Sequence, residues 1–268
     1  MGLVLLKLVL TPVLIGAASV AGRRWGAFIG GWLIALPLTS GPVTFFIALD
    51  QGPAFAANVA AGSLLGVAAI AAFAVAYARL AGDRGWPAAL AGAVAAFGVV
   101  GLVAQPLVGL PVALLLVLVL VSLLAAVRAL PRTGPDGGPG PAPAWEIPAR
   151  MLIGTAIVLL LTAAADALGA GLSGVVAIFP TFAAILTVFA HRRDGFAQAV
   201  AVLRGLLTGL YGTACFFVIL NVALPPWGVA GGFALALAGC AVIQAAALLW
   251  RRLPGRQRAR ATPSITAR

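Results

Sequence analysis

The sequence predicts an all-α polytopic membrane protein: nine transmembrane helices in an inverted 4+1+4 repeat, N-terminus outside and C-terminus inside. Three observations carry this. Of 268 residues, 63% are hydrophobic and 9% charged, with a mean hydropathy of +1.13, beyond the range of a soluble globular domain. At a constant offset of 143, without a gap, residues 31–66 align with 174–209, matching Gly31 to Gly174, Pro37 to Pro180, Thr44 to Thr187, Gly52 to Gly195, Gly62 to Gly205 and Gly66 to Gly209. Gly and Pro constrain backbone geometry, so their coincidence predicts one structural unit used twice. The third observation is how the charges divide between the loops.

Taken in order, apolar runs long enough to cross a bilayer fall near 5–22, 26–49, 54–78, 87–105, 109–128, 150–166, 170–190, 196–222 and 229–250. Turn or charge signals separate them: Arg23-Arg24, Asp50-Gln51-Gly52-Pro53, Gly82-Asp83-Arg84-Gly85, Pro106 to Pro111, Gly169-Ala170-Gly171, His191 to Gly195 and Pro225-Pro226. The first run has no small-residue cleavage site and is expected to be retained as a helix. Residues 1–106 form the first four-helix unit, and 107–130 a linking helix whose Leu/Val run suits a single crossing in contact with lipid. Residues 131–148 make a Pro/Gly-rich connector, 149–250 the second unit, and 251–268 a basic, disordered tail against anionic headgroups.

With an external N-terminus, the internal segments carry Arg23, Arg24, Arg79, Arg84, Arg128, Arg132, Arg192, Arg193 and the tail, while the external ones carry Asp50 and Asp166. The positive-inside rule selects that orientation. The two copies must then be inverted, since five spans separate their starts. Their loop charges change accordingly: Arg23 corresponds to Asp166, and Asp50 to Arg193.

The formal charge of +11 thus reports topology, and no nucleic-acid partner is expected. Cys215 and Cys240 lie within apolar runs and serve as small hydrophobic side chains. A single His gives no support to a metal centre. There is no nucleophile with a base, no zinc signature and no phosphate loop, so neither an enzyme nor a cofactor is expected.

The plan resembles the small multidrug-resistance and drug/metabolite transporter lineage and the fused fluoride channels, in which four-helix units pair antiparallel. The membrane-embedded Glu of the exporters and the Thr-Thr-Phe-Ser-Thr-Phe run of the fluoride channels are both missing. The segment from Gly174 through Phe179-Pro180-Thr181-Phe182-Ala183 to His191 resembles the Leu-Phe-Pro-Thr-Phe-Ala signature of the GlpM-like small four-helix membrane proteins. Leu36-Pro37-Leu38-Thr39-Ser40 would be its diverged partner. The resemblance covers about twenty residues and implies a four-helix fold for each half, without a biochemical role.

Pro37 and Pro180 fall near mid-span. Each leaves a carbonyl one turn earlier without its amide partner, and Thr39, Ser40 and Thr44 follow the first, as Thr181 and Thr187 follow the second. Paired interrupted helices in inverted repeats point to a midplane transport site; the alternative is a simple kink. Gly62/Gly66 and Gly205/Gly209 are small-residue packing motifs, expected to cross the third and eighth spans near the pseudo-twofold axis. Arg204 is a charge well inside a span, with Thr208 and Tyr211 on its face. It either holds an anionic or strongly polar solute or snorkels to headgroups. Asn58 serves a helix–helix hydrogen bond or a substrate contact.

The reading is a permease for a small polar or anionic solute in the cytoplasmic membrane of a bacterium, working by alternating access. Its partners are membrane lipids and the solute, and it acts as a monomer or homodimer. A channel and a lipid-handling or scaffold protein are the alternatives.

Overall fold

The computed structural model describes residues 2–38, 40–133 and 143–252. Thr39, residues 134–142 of the connector and residues 253–268 of the tail lie outside the described residues. The described residues are 91% helix, and no strand occurs among them. Eight α-helices follow one another: α1 (Gly2–Trp25), α2 (Ala27–Ile34), α3 (Ser40–Gln51), α4 (Pro53–Ala104), α5 (Val112–Ala129), α6 (Glu146–Ala177), α7 (Thr181–Asp194) and α8 (Phe196–Arg252). A 3-10 turn over Gln105–Gly109 joins α4 to α5.

Set beside the nine expected spans, these elements differ in several places. The second expected span is cut into α2 and α3 by a turn over 35–38. Each of α4 and α8 runs through two expected spans, interrupted by non-helical backbone at Gly85 (φ 72°) and Gly228 (φ 66°). Positive φ is open to Gly at no steric cost, so one residue reverses the helix direction and Leu80 comes to lie against Gly92. The break expected at Gly169-Ala170-Gly171 is absent: α6 continues for 32 residues, about 48 Å, because no proline there removes a donor from the ladder. Helix α6 also begins at Glu146, inside the expected connector.

The offset of 143 recurs in the backbone. The positive-φ residues Gly52 and Gly195 stand 143 apart, as do Gly85 and Gly228. At the proline breaks, Gly41 N donates to Pro37 O at 2.8 Å and Ala184 N to Pro180 O at 2.9 Å. Leu38 N donates to Leu36 O at 2.7 Å, and Thr181 N to Phe179 O at 2.8 Å. The same local chemistry, proline without an amide followed by a fresh helix start, has produced the same backbone twice.

Helices α1 and α6 lie side by side and run in opposite directions. Going along α1 through Ile15, Ser19 and Arg23, the partners on α6 are Gly154, Arg150 and Glu146. The main core forms where α4 and α8 pack together, around Leu64, Phe73, Leu203, Leu207 and Phe216. Helix α5 covers one side of it with a single buried stripe, Leu115, Val119, Leu123 and Ala126, whose steps of four and three residues keep them on one helix face. Its other faces expose Val117, Val121 and Leu124.

Three stretches among the described residues are long and apolar enough to cross a membrane: Pro53–Gly109, Val112–Ala129 and Phe196–Leu249. Exposed apolar side chains such as Val99, Val103, Val121, Leu160 and Val242 lie in a low-cost environment only if lipid or another apolar surface covers them.

Candidate functional site: a buried charge cluster at the basic end

One end of the bundle gathers the C-termini of α1 and α7 and the N-terminus of α6. Arg23 and Arg24 close α1, and Arg192 and Arg193 close α7, placing cations where the helix dipole favours them. Glu146, the chain's one Glu, opens α6 where the dipole favours an anion, and Arg150 follows one turn later on the same face. Because α1 and α6 are antiparallel, Arg23 meets Glu146 and Ser19 meets Arg150.

Three guanidinium groups converge on the Glu146 carboxylate. Arg23 Nη2 lies 3.1 Å and Arg193 Nη1 2.8 Å from Oε2, while Arg150 Nη2 binds Oε1. Arg150 Nη1 also donates to Ser19 Oγ at 3.3 Å, and its guanidinium lies 5.0 Å over the Phe189 ring. Arg193 pairs through Nε with Asp194, at 2.8 Å to Oδ1; this bond is the main reason its pKa is raised above the ordinary arginine value. Glu146 and Arg150 are 3% and 6% exposed, so the network is held largely out of solvent. Removing Glu146 would leave the three arginines without their shared counter-charge, at a cost of about 3–5 kcal/mol.

The cluster borders a small cleft open to the surface, walled by the small side chains of Ala18, Gly22, Ala27 and Gly30 and by Gln198. Beside it, the Tyr77 hydroxyl lies 3.1 Å from His191 Nδ1, and burial holds the His191 pKa below its ordinary value. Arg192 lies over the Trp86 ring at 5.3 Å, so α4 is tied to the same end.

The residues singled out from sequence are placed elsewhere. Pro37, Thr44, Pro180, Thr181 and Thr187 are buried in packed protein rather than along an open cavity. The carbonyl of Ala35, just before the first proline break, accepts the Thr213 hydroxyl. Thr44 donates to Ser40 O at 2.8 Å, within its own helix. Thr187 Oγ1 is buried without a partner. Asn58 is exposed.

Arg204 donates to the carbonyls of Leu130 and Pro131 at the end of α5, Thr208 donates back to Arg204 O, and Tyr211 is half-buried. The glycine motifs do not meet each other. Gly205 lies against Phe28 and Trp32 of α2, Gly209 against Ala35, Gly66 against Ile178, and Gly62 has nothing within 4 Å. Three of the four glycines thus make close crossings, two of α2 and its end with α8 and one of the Ile178 turn with α4. A proline break supplies the partner of Gly209 and Gly66, while Gly205 packs on α2 itself, and the glycine spacing alone reveals neither.

Sequence reasoning passed over Ser19, Glu146, Arg150 and Gln198 and read Arg23 and Arg193 as topology signals. One signal was present: a sole Glu four residues before an Arg, opening a helix beside the basic segments. No group of His, Cys, Asp and Glu able to hold a metal ion occurs among the described residues. No protein-family model, curated protein or solved structure matches this chain.

Proposed function

We propose that the chain is a multi-pass membrane permease for a small polar or anionic solute, built as two inverted four-helix halves joined by α5. The observation that carries this reading is reciprocal packing of the two proline breaks. Ala35, at the first break, sits on Gly209 of α8, and Ile178, at the second, sits on Gly66 of α4. Ala35 and Ile178 are 143 apart, as are Gly66 and Gly209, so each half inserts its broken helix against the other half's glycine-bearing helix. The antiparallel course of α1 and α6, which begin each half, agrees with inversion.

Near-symmetric halves give alternating access a physical basis, since exchanging their conformations converts an outward-open state into an inward-open one. Buried Thr44 and Thr187 then correspond to a closed level of the pathway. The basic end is cytoplasmic by the positive-inside rule, with exposed Trp25 and Trp145 at that interface and Trp227 at the other.

The test uses full-length protein in vesicles, with Cys215 and Cys240 replaced by Ala and a single Thr44→Cys or Thr187→Cys. Alternating access predicts slow labelling by impermeant maleimides from each side, with one side suppressed when the other is trapped. Complete protection from both sides would overturn the reading in favour of a packed scaffold.

A further inference from the structure

The Arg23–Arg150–Arg193 cluster has more positive charge and more hydrogen-bond donors than the protein itself satisfies. Three guanidinium groups face two carboxylates, Glu146 and Asp194, leaving one positive charge. Three arginines carry roughly fifteen N–H donors against about eight carboxylate lone-pair sites. Ser19 Oγ and the Pro143 carbonyl take two more donors. The Nε atoms of Arg23 and Arg150 are buried with no partner, although Arg150 as a whole is 94% buried by its 6% exposure. A buried unpaired charged donor is among the costliest arrangements in a protein, and here both donors belong to residues that line the cleft beside the cluster.

We propose that this cleft binds a small oxyanion, a carboxylate or phosphate group, held by Arg23 and Arg150, with Arg193 adding charge. The anion cancels the excess positive charge and is held by the guanidinium groups of Arg23 and Arg150, which turn their now buried Nε donors toward it on binding, and charge-assisted bonds of this kind favour planar or tetrahedral oxyanions over halides. Glu146 is the built-in counter-charge: it keeps the arginines together when the cleft is empty and lowers affinity for the incoming anion. Free solute and lipid headgroup present the same chemistry. The proposal deepens the transport reading by naming a ligand class, but binding in detergent requires no transport, so either can fail alone.

The test is anion-dependent thermal stability and equilibrium dialysis of full-length, delipidated protein in neutral detergent. Inorganic phosphate and acetate are titrated against chloride at constant ionic strength, with a second arm using short-chain phosphatidic acid. A saturable stabilisation is expected with phosphate or acetate if free anions are the ligand, and with phosphatidic acid alone if the headgroup is. Arg150→Gln should weaken it roughly ten- to hundredfold, as expected for loss of a charge-assisted hydrogen bond. If Arg150→Gln does not fold, the more exposed Arg23→Gln serves the same purpose.

Glu146→Gln should start less stable and bind more tightly, because the cleft then carries a second positive charge. The proposal is overturned if wild type and Glu146→Gln gain nothing from phosphate, acetate or phosphatidic acid beyond the chloride control. The cluster is then an internal latch only.

Discussion

Gly31 of α2 lies so close to Val202 of α8 that a Cβ added at Gly31 would overlap the Val202 carbonyl oxygen. Gly205, three residues after Val202, receives α2 in the same way, its absent Cβ falling on the Phe28 carbonyl. In lipid the hydrophobic effect contributes little between helices, and such close approach supplies dispersion contacts instead. Gly31→Ala and Gly205→Ala are therefore expected to cost about 1–3 kcal/mol or more, the usual penalty of overpacking. Gly62→Ala has open space and should be neutral or slightly stabilising. Thermal unfolding followed by loss of monodispersity on gel filtration separates the three variants.

Arg204 donates to the carbonyls of Leu130 and Pro131, just past the end of α5, and Arg79 donates to Ala129 O at 3.1 Å. Both place a cation at the negative end of the α5 dipole. Arg204→Gln is expected to lose about 1–3 kcal/mol and to accelerate proteolysis after α5, while leaving anion binding at the Glu146 cluster unchanged. A large loss of anion binding would return Arg204 to the solute-binding role inferred from sequence.

The hydroxyls near the proline breaks make a contrasting pair. Thr213 spends its hydroxyl on Ala35 O, so Thr213→Val strands a buried carbonyl and should cost about 1–3 kcal/mol. Thr187→Val removes a hydroxyl that has no partner and should be neutral or stabilising. Denaturation midpoints of the two variants, measured side by side, check the difference.

His191 is depressed in pKa by burial and takes part in a hydrogen bond with Tyr77, with the Phe196 ring also against it. Below the ordinary histidine value of about 6.5, the unfolded chain binds the proton more readily than the folded one. The stabilising contribution of neutral His191 is thus full above that pH and is lost as pH falls through the folded value. His191→Gln, which keeps an acceptor for Tyr77, should flatten this acid-side decline in a pH series of thermal midpoints; an unchanged slope would mean that another group titrates.

The arrangement of helices along the chain was legible because its cues are local. Apolar runs bounded by Gly, Pro and charge give helices and their ends, and Gly52, Gly85, Gly195 and Gly228 mark reversals that few other residues adopt. Of the boundaries misread, Gly169-Ala170-Gly171 is a place where glycines permit a turn and nothing compels it, while the turn over 35–38 and the start of α6 at Glu146 fell inside stretches read as one span and as connector.

The sequence by itself determined the helical class, the apolar surface and the duplicated backbone pattern of Pro37 and Pro180, since each depends on residues a few positions apart. Only the tertiary structure decided which surfaces meet. Gly205 pairs with α2 rather than with Gly62, Arg204 serves α5, and Arg23 joins Arg150 and Arg193 on Glu146 across 123 residues of chain. Those contacts follow from close packing and electrostatic pairing between distant helices, and one sequence read along its length carries no record of that proximity.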